Sequence, residues 1–359
     1  MHLVRLWLND FRSYAELEIS FDEGLTAIVG ENANGKTNIL EAIAFLATVR
    51  SFRGSPNDTM VRATAPAAVI RADIIDAVRE ILIEAEIPLT GRARVQVNKQ
   101  KLARTRDLLG LFDVTVFSPD DMEIIKGGPA IRRDYLDQLL VALHPKNEQV
   151  VSDFERVLKQ RNALLKQMAG GRGEDGSLTL EVWDSRLAQT GERLASLRAK
   201  VVDQLLPMVG ECYEQVAGRA SDIGMVYDAV WREVGLAEAL LNVRRDELRR
   251  CLSLEGPHRD DLVISIAGMA SRTQASQGEQ RSLTLALRLA AHRLVMVARG
   301  HAPVLLLDDV FSELDDARSR ALLANLPAGQ AILTSATGLP PGSHPDLVYA
   351  LSGGRLTVG

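Results

Sequence analysis

Apolar and polar residues alternate at the start of the chain, at Val4, Leu6 and Leu8 and again at Leu17, Ile19 and Phe21. A period of two predicts strands. LTAIVG (25–30) is a short apolar run closed by glycine, the pattern of a buried strand. NILEAIAFLA (38–47) changes to helical spacing at Ile39, Ile43 and Leu46. AVIRADII, EILIEAEI and RARVQV return to the strand period at close intervals, which predicts an antiparallel meander. From about Pro119 the pattern is helical. Apolar residues at 150, 154, 157/158, 164/165 and 168, then at 183, 187, 194, 197, 201 and 205, outline two helical arms. Each arm has about 25 residues, roughly 37 Å at the helical rise. AGGRGEDGS (169–177) between them reads as a flexible turn. The pair is either a packed helical subdomain or a short projecting arm. Strands return in MVYDAVW and DLVISIAG, a long helix is expected over 279–299, and the chain ends on PVLLLDD, QAILTS, LVYAL and RLTV. The expected organisation is a split α/β head, 1–118 plus 256–359, interrupted by a helical insertion over 119–255.

The chain has 359 residues, enough for two domains, and 46% hydrophobic with 25% charged residues is an ordinary globular balance. The net charge of −5 does not by itself suit nucleic acid, so any such contact must come from local basic patches. Cys212 and Cys251 lack metal-type spacing and suggest a reducing compartment. The opening MHLVRLWLND has no apolar signal core, and no run of 18 apolar residues occurs. A cytoplasmic chain that does not span a membrane is expected.

GENANGKT (30–37) fits G-x-x-x-x-G-K-[ST] between a buried strand and a helix, the context this phosphate-binding loop requires. Gly30 and Gly35 permit backbone geometry that strains other residues. The amides of Gly30, Glu31, Asn32, Ala33, Asn34, Gly35, Lys36, Thr37 and Asn38 can then turn toward phosphate oxygens, helped by the helix N-terminus. Lys36 is expected at the terminal phosphates, and the Thr37 hydroxyl at Mg²⁺.

VLLLDD (304–309) is an apolar strand ending in two carboxylates, at the end of a parallel sheet where ligands bind. Asp308 is the expected Mg²⁺ partner, and Asp309, one residue on, the group that acts on an attacking water. Ser312 of the following SELDD is a candidate helix cap. ILTSA (332–336) offers Thr334 or Ser335 near a γ-phosphate.

ASQGEQRSLTLALRLA (275–290) places Ser276, Gly278 and Gln280 at the start of a helix, a second anion site in a chain that already has one. A second phosphate site makes sense if it reads the nucleotide of another chain, which predicts a two-fold dimer with two ATP molecules at the interface. An ordinary helix cap is the alternative.

These motifs, in this order, resemble the ABC-type ATPase set. That implies an α/β fold: an ABC-type P-loop ATPase head with an antiparallel β subdomain and an inserted helical domain. The S-Q-G-E-Q-R form is similar to the repair branch that includes RecF, Rad50 and the structural-maintenance ATPases. The short insertion, LWLNDFRSY, GKTNILEAI, VFSPDDMEIIKGGPAIRRDYLD (116–137), GPHRDDL (256–262) and LLLDDVFSELD together resemble the RecF family over almost the whole chain. Two departures stand out. Ala33 and Asn34 replace the inner G-x of the family loop, and Glu279 stands where many relatives have glutamine. The resemblance implies a cytoplasmic protein that binds ATP and DNA, dimerises on ATP and hydrolyses it slowly. It also implies work with RecO and RecR in loading RecA at single-stranded gaps beside duplex, tied to replication restart and SOS induction.

Arg92, Arg94, Lys99, Lys101, Arg104 and Arg106 form a basic run with no acidic residue between them, suited to phosphate contacts. A solvated strand edge is the competing reading. Aromatics are only 4% and are not interleaved with the basic runs, which favours contact with a duplex backbone over base stacking. A transporter ATP-binding subunit is the first rival to the repair ATPase. The wide gap before Ser276, and the lack of an obvious Gln-containing loop, speak against it. A nucleotide-gated clamp with incidental hydrolysis is the second rival.

Overall fold

The structure is a computed structural model that describes residues 1–169 and 176–359. It opens with β1 (His2–Phe11), β2 (Tyr14–Ser20) and β3 (Leu25–Val29), followed by α1 (Lys36–Thr48). β4 (Ala67–Asp76), β5 (Arg79–Pro88), β6 (Arg94–Val97), β7 (Gln100–Lys101) and β8 (Val114–Phe117) follow. Helices α2 (Glu123–Lys126), α3 (Pro129–Leu143), α4 (Asn147–Ala169) and α5 (Gly176–Ala217) come next, then β9 (Ile223–Asp228) and α6 (Leu236–Arg250). The chain finishes with β10 (Asp261–Ile266), β11 (Met269–Ala270), α7 (Gln277–Arg299), β12 (Val304–Asp308), α8 (Asp316–Ala324), β13 (Ala331–Ser335), β14 (Leu347–Ser352) and β15 (Arg355–Val358).

Two six-stranded sheets enclose α1. One has the order β2-β1-β4-β5-β6-β7, the other β15-β14-β3-β13-β12-β8. The first is the expected antiparallel meander, with one correction at its start. A register shift between Leu3 and Arg5 puts Leu3, rather than Val4, on the buried face with Leu6 and Leu8. The second is parallel from β14 to β8, with β15 antiparallel at its edge. Between the sheets α1 buries Ile39, Leu40, Ile43, Phe45 and Leu46, apolar on nearly every side, as a helix inside a core must be.

Residues pack as two compact units: Met1–Met122, Glu211–Ala220 and Arg281–Gly359 in one, Glu123–Gly210 and Ser221–Gln280 in the other. This differs from a head that resumes at 256. β10 pairs with β9 from Asp261↔Asp228 to Ile266↔Ile223, so the segment from 256 to 280 stays with the insertion. The expected turn over 169–177 has its central residues, 170–175, outside the described residues. The second unit is a packed subdomain rather than a bare hairpin, and α5 runs to 42 residues. Arg161 of α4 is fully buried and donates to Asp184 (2.7 Å), Glu247 (2.6 Å) and Ser253 (2.8 Å), which ties three helices together. Arg198 does the same for Asp137 and the Pro257 carbonyl.

Candidate nucleotide site

The parallel sheet brings the sequence motifs together through strand register. Asp308 at the end of β12 lies beside Thr334 of β13, which lies beside Ile28 of β3. The loop that leaves β3 at Gly30 therefore begins next to the two carboxylates. It is pinned on both sides. The Gly30 amide donates to the Ser335 carbonyl (3.1 Å), and the Asn34 amide group donates to the Leu351 carbonyl (3.4 Å). A Cβ at Gly30 would come within 2.2 Å of that Leu351 oxygen, so this position takes only glycine. Gly35 has φ 101, in the left-handed region, and a side chain there would also meet Ser13 and Tyr14 at 2.8 Å.

Within the loop Lys36 folds back. Its Nζ donates to the Gly30 carbonyl (2.6 Å) and the Glu31 carbonyl (2.9 Å). Glu31, Asn32 and Ala33 are exposed at the loop tip. Ala33 has φ 67, a backbone shape that suits glycine, so the alanine departure carries local strain. Asn38 donates to the Ser13 hydroxyl (3.0 Å).

The Thr37 hydroxyl donates to Asp308 Oδ1 (2.8 Å), and the Thr334 hydroxyl donates to the same oxygen (2.9 Å). Thr334 also accepts from the Asp309 amide (3.0 Å). Thr334, expected near a γ-phosphate, is fully buried and braces the Asp308 carboxylate and the Asp309 backbone instead. Burial pushes the Asp308 carboxyl above its ordinary range, while the two hydroxyl donors pull it down. Burial also lowers the Lys36 ammonium, opposed by the charges of Asp309 and Asp308. Asp309 sits at φ 48, and its Oδ1 is buried without a hydrogen-bond partner. Ser312 does not cap α8. Its hydroxyl donates to the Asp309 carbonyl (2.8 Å), and Asp315 is the cap, accepting from the Arg318 amide (2.8 Å).

These residues fit a triphosphate with a hard cation. The N-terminus of α1 has no side-chain cap, leaving its amides for an anion. Thr37 and Asp308 supply only oxygen donors, and Asp309 holds an unfilled acceptor beside them. Among the described residues no group of three or more His, Cys, Asp or Glu side chains is arranged to hold a metal by itself. A cation held by one or two protein oxygens and by ligand phosphates suits this set.

Ser276 is exposed and caps α7. Its amide and hydroxyl both donate to Glu279 Oε2 (2.9 and 2.8 Å), and the Glu279 amide donates back to the Ser276 hydroxyl (3.3 Å). This is a capping box, so Glu279 satisfies the helix start rather than pointing at a ligand site. Gly278 lies in the first turn, not ahead of it. Gln280, expected at the nucleotide, is buried and donates to the Ser271 (3.0 Å) and Arg272 (3.1 Å) carbonyls. It shapes the loop before the helix.

Sequence reasoning passed over two groups. Arg12 pairs with the fully buried Glu41 of α1 through two bonds (2.8 and 2.7 Å), and Ser51 adds a third. Arg281 of α7 donates to the Glu313 carbonyl (2.8 Å) and pairs with its carboxylate (3.2 Å), joining this helix to the segment that follows Asp309. Both depend on contacts distant in sequence.

Of the basic run, Arg92, Lys99, Lys101 and Arg104 are exposed along the β6–β7 rim of the antiparallel sheet. Arg94 pairs with Glu86 (3.2 Å), and Arg106 is half-buried. The outer face behind this rim carries further ion pairs, Arg71–Glu84 and Arg5–Glu18. Cys212 is buried, Cys251 is half-buried, and both are free thiols. Among the described residues no helix is long and apolar enough to cross a membrane.

Comparison with known proteins agrees with this geometry. The RecF/RecN/SMC N-terminal domain family matches residues 2–335. A "DNA replication and repair protein RecF" of Streptomyces avermitilis is 40% identical, spanning 100% of this chain and 98% of its own length. One from Frankia alni is 42% identical over the same shares. The fold is similar to a solved structure of the recombination mediator protein RecF with ATP, in the RecFOR pathway. There the TM-score is 0.91 and the identity 31%, with 99% of this chain and 97% of that one covered. An Smc head bound to the C-winged helix domain of ScpA, 18% identical with a TM-score of 0.61, shares the fold, covering 100% of this chain and 97% of that one.

Proposed function

The chain belongs to the RecF family, an ABC-type ATPase family, and on that premise we propose that it is an ATP-dependent DNA-binding protein of recombinational repair and replication restart. The observation that carries this reading is the junction of Thr37 and Asp308, which unites the phosphate loop with the carboxylate strand at 2.8 Å. Lys36 leaves the Gly30 and Glu31 carbonyls to meet the terminal phosphates of ATP. Thr37 and Asp308 hold Mg²⁺, which neutralises phosphate charge when bound. Asp309, with its open Oδ1, orients the attacking water. Hydrolysis is slow, and ATP acts first as the trigger of a homodimer in which Ser276 and Gly278 of one chain meet the nucleotide of the other. The exposed position of Ser276 supports that role.

DNA is contacted along the phosphate backbone by the rim residues Arg92, Lys99, Lys101 and Arg104. The ion-paired outer face, where Arg94 is already engaged, supports an edge contact over a flat one. With RecO and RecR as partners, the dimer helps load RecA at gapped DNA in the cytoplasm, as part of the SOS response. Sizing of the full chain by light scattering, with and without ATP, Mg²⁺ and gapped DNA, tests this. The mass is expected to double with ATP and rise again with DNA. A mass indifferent to ATP overturns the reading. DNA that binds without changing turnover favours a clamp whose hydrolysis is incidental.

A further inference from the structure

Three consecutive residues, Arg12 and Ser13 of the β1–β2 turn and Tyr14 at the start of β2, address α1 in reverse order. Arg12 binds Glu41 through its guanidinium, Ser13 accepts from Asn38, and Tyr14 lies against Gly35. Glu41, Asn38 and Gly35 are spaced by three, so they line one side of the helix and its N-cap. Two of these rungs are closed by hydrogen bonds. The third is open: the Tyr14 hydroxyl is buried and has no hydrogen-bond partner. Tyr14 as a whole is only 2% exposed, and its ring is part of the core around α1. The hydroxyl sits 2.8 Å from where a Cβ on Gly35 would be.

An unsatisfied buried hydroxyl is costly, and a phenylalanine would fill the same core volume without that cost. The open rung is the one at the phosphate end of the helix. The loop there is folded on itself, with Lys36 held by the Gly30 and Glu31 carbonyls, so it must rearrange to admit a ligand. Burial raises the phenol well above its ordinary value, which leaves it a neutral donor at any working pH.

We propose that Tyr14 is a positioning residue for the nucleotide, its hydroxyl held beside Gly35 as a donor that is taken up when a nucleoside triphosphate occupies the loop. This rests on the reading of residues 30–37 as the ATP site. The donor has no acceptor before the ligand arrives and gains one afterwards, so the hydrogen bond contributes to binding alone.

The test is Tyr14→Phe in the full chain, read by calorimetric titration with ATP and Mg²⁺, by thermal melting without ligand, and by steady-state hydrolysis. Removing the hydroxyl is expected to leave the ligand-free melting temperature unchanged or raised. It weakens ATP binding about tenfold, the size of one hydrogen bond in a charged setting. It leaves kcat at saturating ATP near the parental value. ATP affinity within twofold of the parent overturns the proposal. A clear fall in the ligand-free melting temperature also overturns it, because the hydroxyl then has a structural partner. Lys36→Ala is the parallel control. If that variant binds ATP like the parent, it is the assignment of the loop that fails, whatever Tyr14 does.

Discussion

Thr37 and Asp308 are 271 positions apart in the chain, yet the threonine hydroxyl donates to the carboxylate at 2.8 Å. The pair lets the two aspartates be separated by experiment. Burial holds Asp308 above its ordinary 3.8, so the native state binds this proton more tightly than the unfolded chain. The stability contributed by that difference is full below pH 3.8 and is lost as pH rises through the native value. At neutral pH the carboxylate is a net cost to the fold. Asp308→Asn should therefore melt at the parental temperature or higher while losing Mg²⁺-dependent ATP binding. Asp309→Asn, which tolerates the left-handed backbone, should keep ATP binding and lose most turnover, about 100-fold. Calorimetric titration, melting and phosphate release check the three claims, and parental hydrolysis in both variants removes the assigned roles.

Ala33→Gly should relieve the strain at φ 67. A left-handed alanine costs about 1–2 kcal/mol, and the added freedom of glycine in the unfolded chain gives back about 0.4–1. A net gain near 0.5 kcal/mol is expected in urea unfolding without ligand. A loss of stability would mean that the alanine is unstrained.

Ser276→Arg should leave ATP binding to the single chain intact and block ATP-dependent dimerisation. Lys36 and Thr37 have partners of their own in the Gly30 and Glu31 carbonyls and Asp308, and the Ser276 hydroxyl is engaged by Glu279. Light scattering with ATP and Mg²⁺ reads the dimer, and a nucleotide titration reads the site. Parental dimerisation refutes a role across the interface, whereas loss of ATP binding by the single chain makes Ser276 part of its own site.

Replacing Arg92, Lys99, Lys101 and Arg104 with alanine should weaken DNA binding and flatten its salt dependence. Each lost phosphate contact lowers the slope of log K against log salt by about 0.9. Arg94→Ala alone should move the slope least, because Arg94 already pairs with Glu86. An unchanged slope in the fourfold variant places the DNA elsewhere.

The phosphate loop and the carboxylate strand were legible because their chemistry is local. Gly30, Lys36 and Asp308 announce themselves by type and spacing, and parallel register does the rest. Gln280 was misplaced for the opposite reason. Its direction depends on the Ser271 and Arg272 carbonyls, which no periodicity reveals. The boundary at 256 failed because β10 is chosen by its partner β9, and a strand pattern says nothing about which sheet receives it. The Ser276–Glu279 box was readable as S-x-x-E, but the same residues also spelled an anion site. Tyr14 carries no signal in the sequence, since its ring is an ordinary part of the core and only its hydroxyl is out of place.

In the proposed dimer, the clasp between Ser276 and Glu279 would make the second site conditional. A phosphate brought to that serine meets a hydroxyl already promised to an anion, and it must evict a rival of its own sign. Arrival there is a contest rather than a capture. Loading a nucleotide and committing to a partner would thereby be graded separately, the first by a cradle lined with donors, the second by a guarded latch. Exchanging Glu279 for glutamine would keep the latch and disarm the guard, so in that dimer residue 279 would set how readily two loaded chains close on each other.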